Sequence, residues 1–193
     1  IEKAGKIEYE LDYTIKPPRE KKIYITQHSH TDIGYTRKAT EILADHIRYI
    51  DYALDYCDIT DHYPQESKFR WTCESAWPVR EFILNRPKKQ VSRLLNRIQE
   101  GRIEVTAMLF NMSDLADESI YNEFFSHLKL FKEKGITVTC AMQNDINGAA
   151  WCLPDFFKNT DIKYLTMGQH NHRALAPFDK PTAFWWQSPS GSE

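Results

Sequence analysis

The sequence is short of several things, and each shortage narrows the reading. Its 193 residues hold four cysteines, Cys57, Cys73, Cys140 and Cys152, none in a Cys-x-x-Cys pair or at a short metal-ligand spacing. A cysteine-built zinc cluster is therefore not expected. Four reduced thiols favour a reducing compartment such as the cytoplasm, with an upstream signal left open. No apolar run is long enough to span a bilayer, so no membrane partner is expected. Seven glycines form no phosphate-binding loop, so nucleotide cofactors are not suggested. Neither sign of charge dominates: 25 Lys and Arg against 27 Asp and Glu leave a formal net charge of −2. That balance argues against a nucleic-acid partner held by a broad basic surface. No fixed-period repeat and no low-complexity stretch interrupts the chain.

What is present is an ordinary globular composition, 41% hydrophobic and 27% charged. Aromatics reach 13%, enough for a core and for rings that stack on a sugar or a base. Residues 1–21 are charged, carry Pro17-Pro18 and read as an extended leading arm. From residue 22 onward the pattern is strand, polar loop, helix, repeated. Strands are predicted over 23–27, 69–73, 103–108, 136–142, 163–167 and 183–187. Helices are predicted from Thr36 to about Cys57, through Pro78, from about Val91 to Gly101, from Asp117 or Ser119 to Gly135, and briefly around Pro154. Such alternation predicts an α/β fold with a mostly parallel sheet, either open or closed into a β/α barrel. The chain stops at Glu193 shortly after a predicted strand and turn, which reads as part of a longer catalytic domain.

Sites in parallel α/β folds lie beyond the carboxyl ends of the strands. There this sequence concentrates its titratable groups: His28, His30 and Asp32, then Glu74, Asp114, Asp145, and His170 with His172. On extended backbone the side chains of residues two apart point the same way. His30 and Asp32 can thus face one divalent cation, as an imidazole and a carboxylate suit a borderline ion such as zinc. The plain alternative is a surface histidine beside a helix-start carboxylate. Asp145 is either a third ligand and a nucleophile, or a turn aspartate before Asn147-Gly148. His28 can be a third ligand, orient His30 through a hydrogen bond, or serve the fold. Tyr35 can stack on a sugar face or close the edge of a core. Glu74 and Asp114 can hydrogen-bond ligand hydroxyls or cap helices.

The residues, in order, resemble glycoside hydrolase family 38, the class II α-mannosidases. His28-Ser29-His30-Thr31-Asp32-Ile33-Gly34-Tyr35 is similar to the family's His-Ser-His-Asn-Asp-Pro-Gly-Trp signature. Phe69-Arg70-Trp71-Thr72-Cys73-Glu74 matches Phe-x-Trp-x-x-Glu, and Phe110-Asn111-Met112-Ser113-Asp114-Leu115-Ala116 resembles Trp-Val-Met-x-Asp-Glu-Ala. Asp145 falls at the Asp-Pro-Phe-Gly nucleophile motif, and residues 184–193 resemble Phe-x-Trp-x-x-Pro-x-Gly-Ser. The resemblance implies an irregular β/α barrel, incomplete in this chain, over residues 22–193. It implies zinc on His30, Asp32 and Asp145, with Asp145 also the catalytic nucleophile of a retaining α-mannosidase acting on a carbohydrate. Tyr35 would stack on the sugar. The family's fourth ligand, a histidine, lies downstream of this chain, and no residue here matches the general acid. Two departures bear on specificity: Ile-Asn-Gly-Ala follows Asp145, and Tyr35 replaces tryptophan. A metal-dependent polysaccharide deacetylase and a non-catalytic sugar-binding domain are the competing readings.

Overall fold

The computed structural model describes residues 2–7, 12–30, 32–112, 116–170, 172, 178 and 182–193. It is a mixed α/β fold whose short strands pair in parallel beyond a small N-terminal hairpin. The hairpin pairs β1 (Glu2–Lys3) with β2 (Lys6–Ile7) antiparallel, where an extended arm was expected. Ala4 and Gly5, both at positive φ, make its two-residue turn.

Four further strands carry the site. β3 (Trp71–Cys73) pairs in parallel with β4 (Ile103–Val105). β5 (Cys140–Asn144) pairs in parallel with β6 (Tyr164–Gly168). Two contacts extend this row. His28 forms a parallel bridge to Thr72, whose N–H donates to the Gln27 carbonyl at 2.8 Å. The Ala107 N–H donates to the Cys140 carbonyl at 2.8 Å. The chain thus passes from residue 28 to β3, β4, β5 and β6 in sequence order, as an arc of parallel segments. Among the described residues the arc does not close into a barrel.

Two expected strands do not form. Ile23, Tyr24 and Ile25 are 78–82% exposed and carry no regular structure. Among the described residues no strand pairs with them, and strand preference is mostly a preference for packed surroundings. Residues 182–187 are also irregular, with Trp185 88% exposed. The turn that follows forms as expected, the Ser188 N–H donating to the Ser192 carbonyl at 2.8 Å. It is held to the preceding helix by the Ser188 hydroxyl, which donates to Asp155 at 2.7 Å.

The helices follow the apolar spacing. α1 (Ala39–Ile59) buries Ile42, His46, Ile50, Ala53, Leu54 and Cys57, a stripe at three- and four-residue steps. α2 (Ala76–Asn85) and α3 (Lys88–Gln99) are separated at Pro87, which cannot continue a helix without an N–H and so opens α3. α4 (Glu118–Phe125) starts at Asp117, whose side chain accepts the Ile120 N–H at 3.0 Å. That settles the two candidate caps in favour of aspartate. The single helix expected to Gly135 divides at Ser126 into α4 and α5 (His127–Glu133). α6 (Leu153–Asn159) has Pro154 in its first turn. No helix among the described residues is long and apolar enough to cross a membrane. Leu54, Val79, Phe82, Leu94, Phe131 and Leu153 are fully buried between the helices and the strand arc.

One buried ionisable group gives the fold an acid limit. His127 is 3% exposed, with its ring edge-on to Phe131 and Nδ1 donating to the Phe124 carbonyl at 2.9 Å. Burial pushes its pKa from 6.5 down to about 4. Between those values the unfolded chain binds a proton that the native chain does not. Stability from the neutral ring is therefore fully present above pH 6.5 and is lost as pH falls towards 4. The loss is on the order of 3 kcal/mol. Urea midpoints across this window should fall with acid in the parent, and less steeply in His127→Phe.

Candidate metal centre

The rim beyond the strand ends is assembled by backbone before any side chain acts. The Ala76 and Trp77 N–H groups at the start of α2 donate to the carbonyls of Met108 and Leu109, at 2.8 and 3.0 Å. These bonds dock the loop after β4 onto the loop after β3. Gly168 lies opposite Asn144 in the β5–β6 register. A Cβ at Gly168 would stand 2.9 Å from the Asn144 side-chain oxygen, so glycine lets the Asn144 side chain keep its place. Asp145 follows at φ 57°, a left-handed backbone that aspartate tolerates better than most residues.

Three residues meet on this rim. His30 Nε2 lies 3.5 Å from Asp32 Oδ1 and 3.7 Å from Asp145 Oδ2. One donor atom from each of the three lies within 4.8 Å of the others. Ligands about 2.1 Å from a tetrahedral ion stand roughly 3.4 Å apart, so the spacing suits one cation. The donor set, one imidazole and two carboxylates, suits zinc or a similar divalent ion. A stretch 113 residues away in sequence thus supplies the third donor to the pair read from residues 28–35.

The histidine is aimed by its other nitrogen. His30 Nδ1 lies 2.7 Å from Glu74 Oε1. An ionised carboxylate only accepts, so Nδ1 carries the proton and Nε2 presents its lone pair to Asp32 and Asp145. His28 Nδ1 stands 2.7 Å from the second oxygen, Glu74 Oε2. Glu74 itself is 2% exposed. Burial acts to raise its pKa, but the hydrogen bonds from Asn111, Asn144 and His30 outweigh it. The carboxyl is held below its ordinary value and is ionised.

The other residues read from sequence divide. Glu74, expected at ligand hydroxyls, is turned inward onto the two histidines. Tyr35 is 84% exposed, beside Gly34 at positive φ. Asp114 lies outside the described residues. His170 joins the rim: its Nε2 is 3.9 Å from Asp145 Oδ1, and its ring centroid is 5.3 Å from that of His172. Cys73, inside its strand, is 6% exposed, and burial pushes its thiol up to about 12, which leaves it unreactive. Sequence reasoning passed over Asn111 and Gln143. Asn111 donates to Glu74 and accepts from the Asn144 N–H. Gln143 donates to the Met112 carbonyl at 2.5 Å. Neither residue titrates, and only their positions beside strand ends could have drawn attention.

Fold and cluster together define a mixed α/β protein with a cation-type donor set at the ends of its parallel strands. The profile described as the glycosyl hydrolases family 38 N-terminal domain matches residues 20–193, and the chain belongs to that family. Among solved structures it is similar to an alpha-mannosidase from Enterococcus faecalis V583, with a TM-score of 0.55 and 14% identity. It is also similar to a protein in the glycosyl hydrolase family 38 from Enterococcus faecalis, with a TM-score of 0.53 and 15% identity. Each match covers 74% of this chain and 16% of the other. No curated protein matches the chain.

Proposed function

We propose that this chain is part of the catalytic domain of a metal-dependent retaining α-glycosidase that hydrolyses α-mannosides, its strand arc completed into an irregular β/α barrel. The observation that carries the reading is the convergence of His30, Asp32 and Asp145 at the strand ends of a family 38 domain. These three side chains would hold a zinc ion, which supplies Lewis-acid attraction for sugar hydroxyls. Asp145 is 46% exposed and free to meet the anomeric carbon. Its carboxylate forms the bond to that carbon as the glycosidic C–O bond breaks, and the departing oxygen takes a proton from a carboxylic acid. Water then attacks the anomeric carbon from the opposite side and releases Asp145, so configuration is retained after two inversions. Tyr35, solvent-facing beside the donor set in sequence, offers a ring for the sugar, and Asp114 a carboxylate for its hydroxyls.

The test is the stereochemistry of the first product. The full-length protein, given an aryl α-mannoside, should release α-mannose before mutarotation, as followed by proton NMR. Release of the β-anomer would reject the covalent route. Loss of N-acetyl groups from a polysaccharide, with no glycoside cleaved, would move the protein to the deacetylase class.

A further inference from the structure

We propose that Asn111 is a positioning residue that ties the two halves of the donor set together, an inference that rests on the metal-site reading above. The donors come from two separate places, His30 and Asp32 after the Gln27–Thr72 contact and Asp145 after β5. The Asn144 side chain bonds Glu74 directly, and the Asn111 amide adds a second crossing that fixes the Asn144 backbone as well. Asn111 Nδ2 donates to Glu74 Oε1 at 2.8 Å, the same oxygen that receives His30 Nδ1. Asn111 Oδ1 accepts the Asn144 N–H at 2.9 Å, one residue before Asp145. This second path from imidazole to carboxylate therefore runs His30, Glu74, Asn111, Asn144, Asp145, with a hydrogen bond at every step between elements.

The chemistry requires an amide at this place. Aspartate would keep the acceptor but set a second carboxylate against Glu74. Leucine would supply neither donor nor acceptor. A second reciprocal pair holds the same loop without Asn111: Gln143 donates to the Met112 carbonyl, and the Met112 N–H donates back to Gln143 at 3.4 Å. The backbone at 111 is thus anchored independently, and a change of the Asn111 side chain should alter the link more than the fold. Asp145 needs such a link because its positive φ leaves it a less favoured conformation that only its surroundings hold.

The experiment uses the full-length protein with Asn111→Asp and Asn111→Leu, zinc affinity measured by competition with a chromophoric chelator, and cobalt as a spectroscopic probe. Both variants should melt as single folded species. Each should bind zinc about 10- to 100-fold more weakly than the parent, the usual effect of losing a partner behind a ligand. The cobalt visible spectrum should change with them. Hydrogen exchange at the Asn144 amide, read without metal, should quicken in Asn111→Leu and stay slow in Asn111→Asp, which keeps the acceptor. Parent-like zinc affinity and cobalt spectrum in two folded variants would overturn the positioning role. A folded parent that takes no zinc would remove the metal-site reading and this role with it. Unchanged Asn144 exchange in Asn111→Leu would show that the link itself does not exist.

Discussion

Asp145→Ala is expected to lower turnover of an aryl α-mannoside by roughly 10⁴-fold or more, with little change in the fold. The reason is that one carboxylate serves two tasks. Its Oδ2 stands 3.7 Å from His30 Nε2, where a shared cation would sit, and the same group is the proposed nucleophile. Its side chain is 46% exposed, so no core contact is lost. Alanine tolerates positive φ less well than aspartate, a cost of about 1 kcal/mol. Azide distinguishes the two tasks. If Asp145 is the nucleophile, azide should fill the space in Asp145→Ala, restore cleavage of an activated substrate and give the β-mannosyl azide. Parent-like turnover in the variant would instead favour a reaction that uses metal-activated water and needs no carboxylate nucleophile.

Arg102→Met should be the most damaging of the conservative changes to the scaffold, costing about 2–4 kcal/mol. Arg102 is 3% exposed. Its guanidinium donates to the Phe69 carbonyl at 2.6 Å, the Cys57 carbonyl at 3.0 Å, the Thr60 hydroxyl at 2.8 Å and Asp61 at 2.9 Å. Methionine keeps much of the volume but leaves the Phe69 carbonyl only the Cys57 thiol at 4.0 Å and the Cys57 carbonyl only the Thr60 hydroxyl at 3.3 Å, and a poorly satisfied buried acceptor costs more than a hydrogen bond gains. The loss of charge matters less, because Asp61 is 47% exposed and also bridged to Arg97 at 2.5 Å. For a chain of this length the melting temperature should fall on the order of 10 °C. Asp55→Asn is the control. Asp55 is 58% exposed and pairs with Arg93 at the rim of the same α1–α3 ladder, so its loss should cost under about 1 kcal/mol. Equal losses in the two variants would mean that charge, not buried hydrogen bonding, holds the ladder.

The legible parts of this sequence are those whose cause is local. The α1 stripe, the break at Pro87, the aspartate cap of α4 and the turn at 188–192 each follow from spacing or backbone chemistry within a few residues. Composition alone predicts a strand over residues 23–27, but strand pairing is a relation to other segments, and Ile23, Tyr24 and Ile25 stand 78–82% exposed. The helix from 117 to 135 was read as one because its apolar residues keep the same period across Ser126. In the site, the two-residue spacing of His30 and Asp32 and the strand-end placement of Asp145 both carry into the structure as one cluster. The position of Glu74 is legible, as a group for ligand hydroxyls or a helix cap, but sequence does not show that its carboxylate is buried against His28 and His30. Asn111 left no signal, since its importance lies in which partners its amide reaches.

Metal content of the purified full-length protein, beside His30→Ala and Asp145→Ala, tests the central claim most directly. The two variants remove donors from opposite ends of the cluster, so they ask whether residues 115 apart in sequence hold the same ion. Near-stoichiometric zinc is expected in the parent and its loss in both variants, with all three proteins folded by circular dichroism. Zinc retained in both variants, or a folded parent that binds none when zinc is supplied, would contradict it.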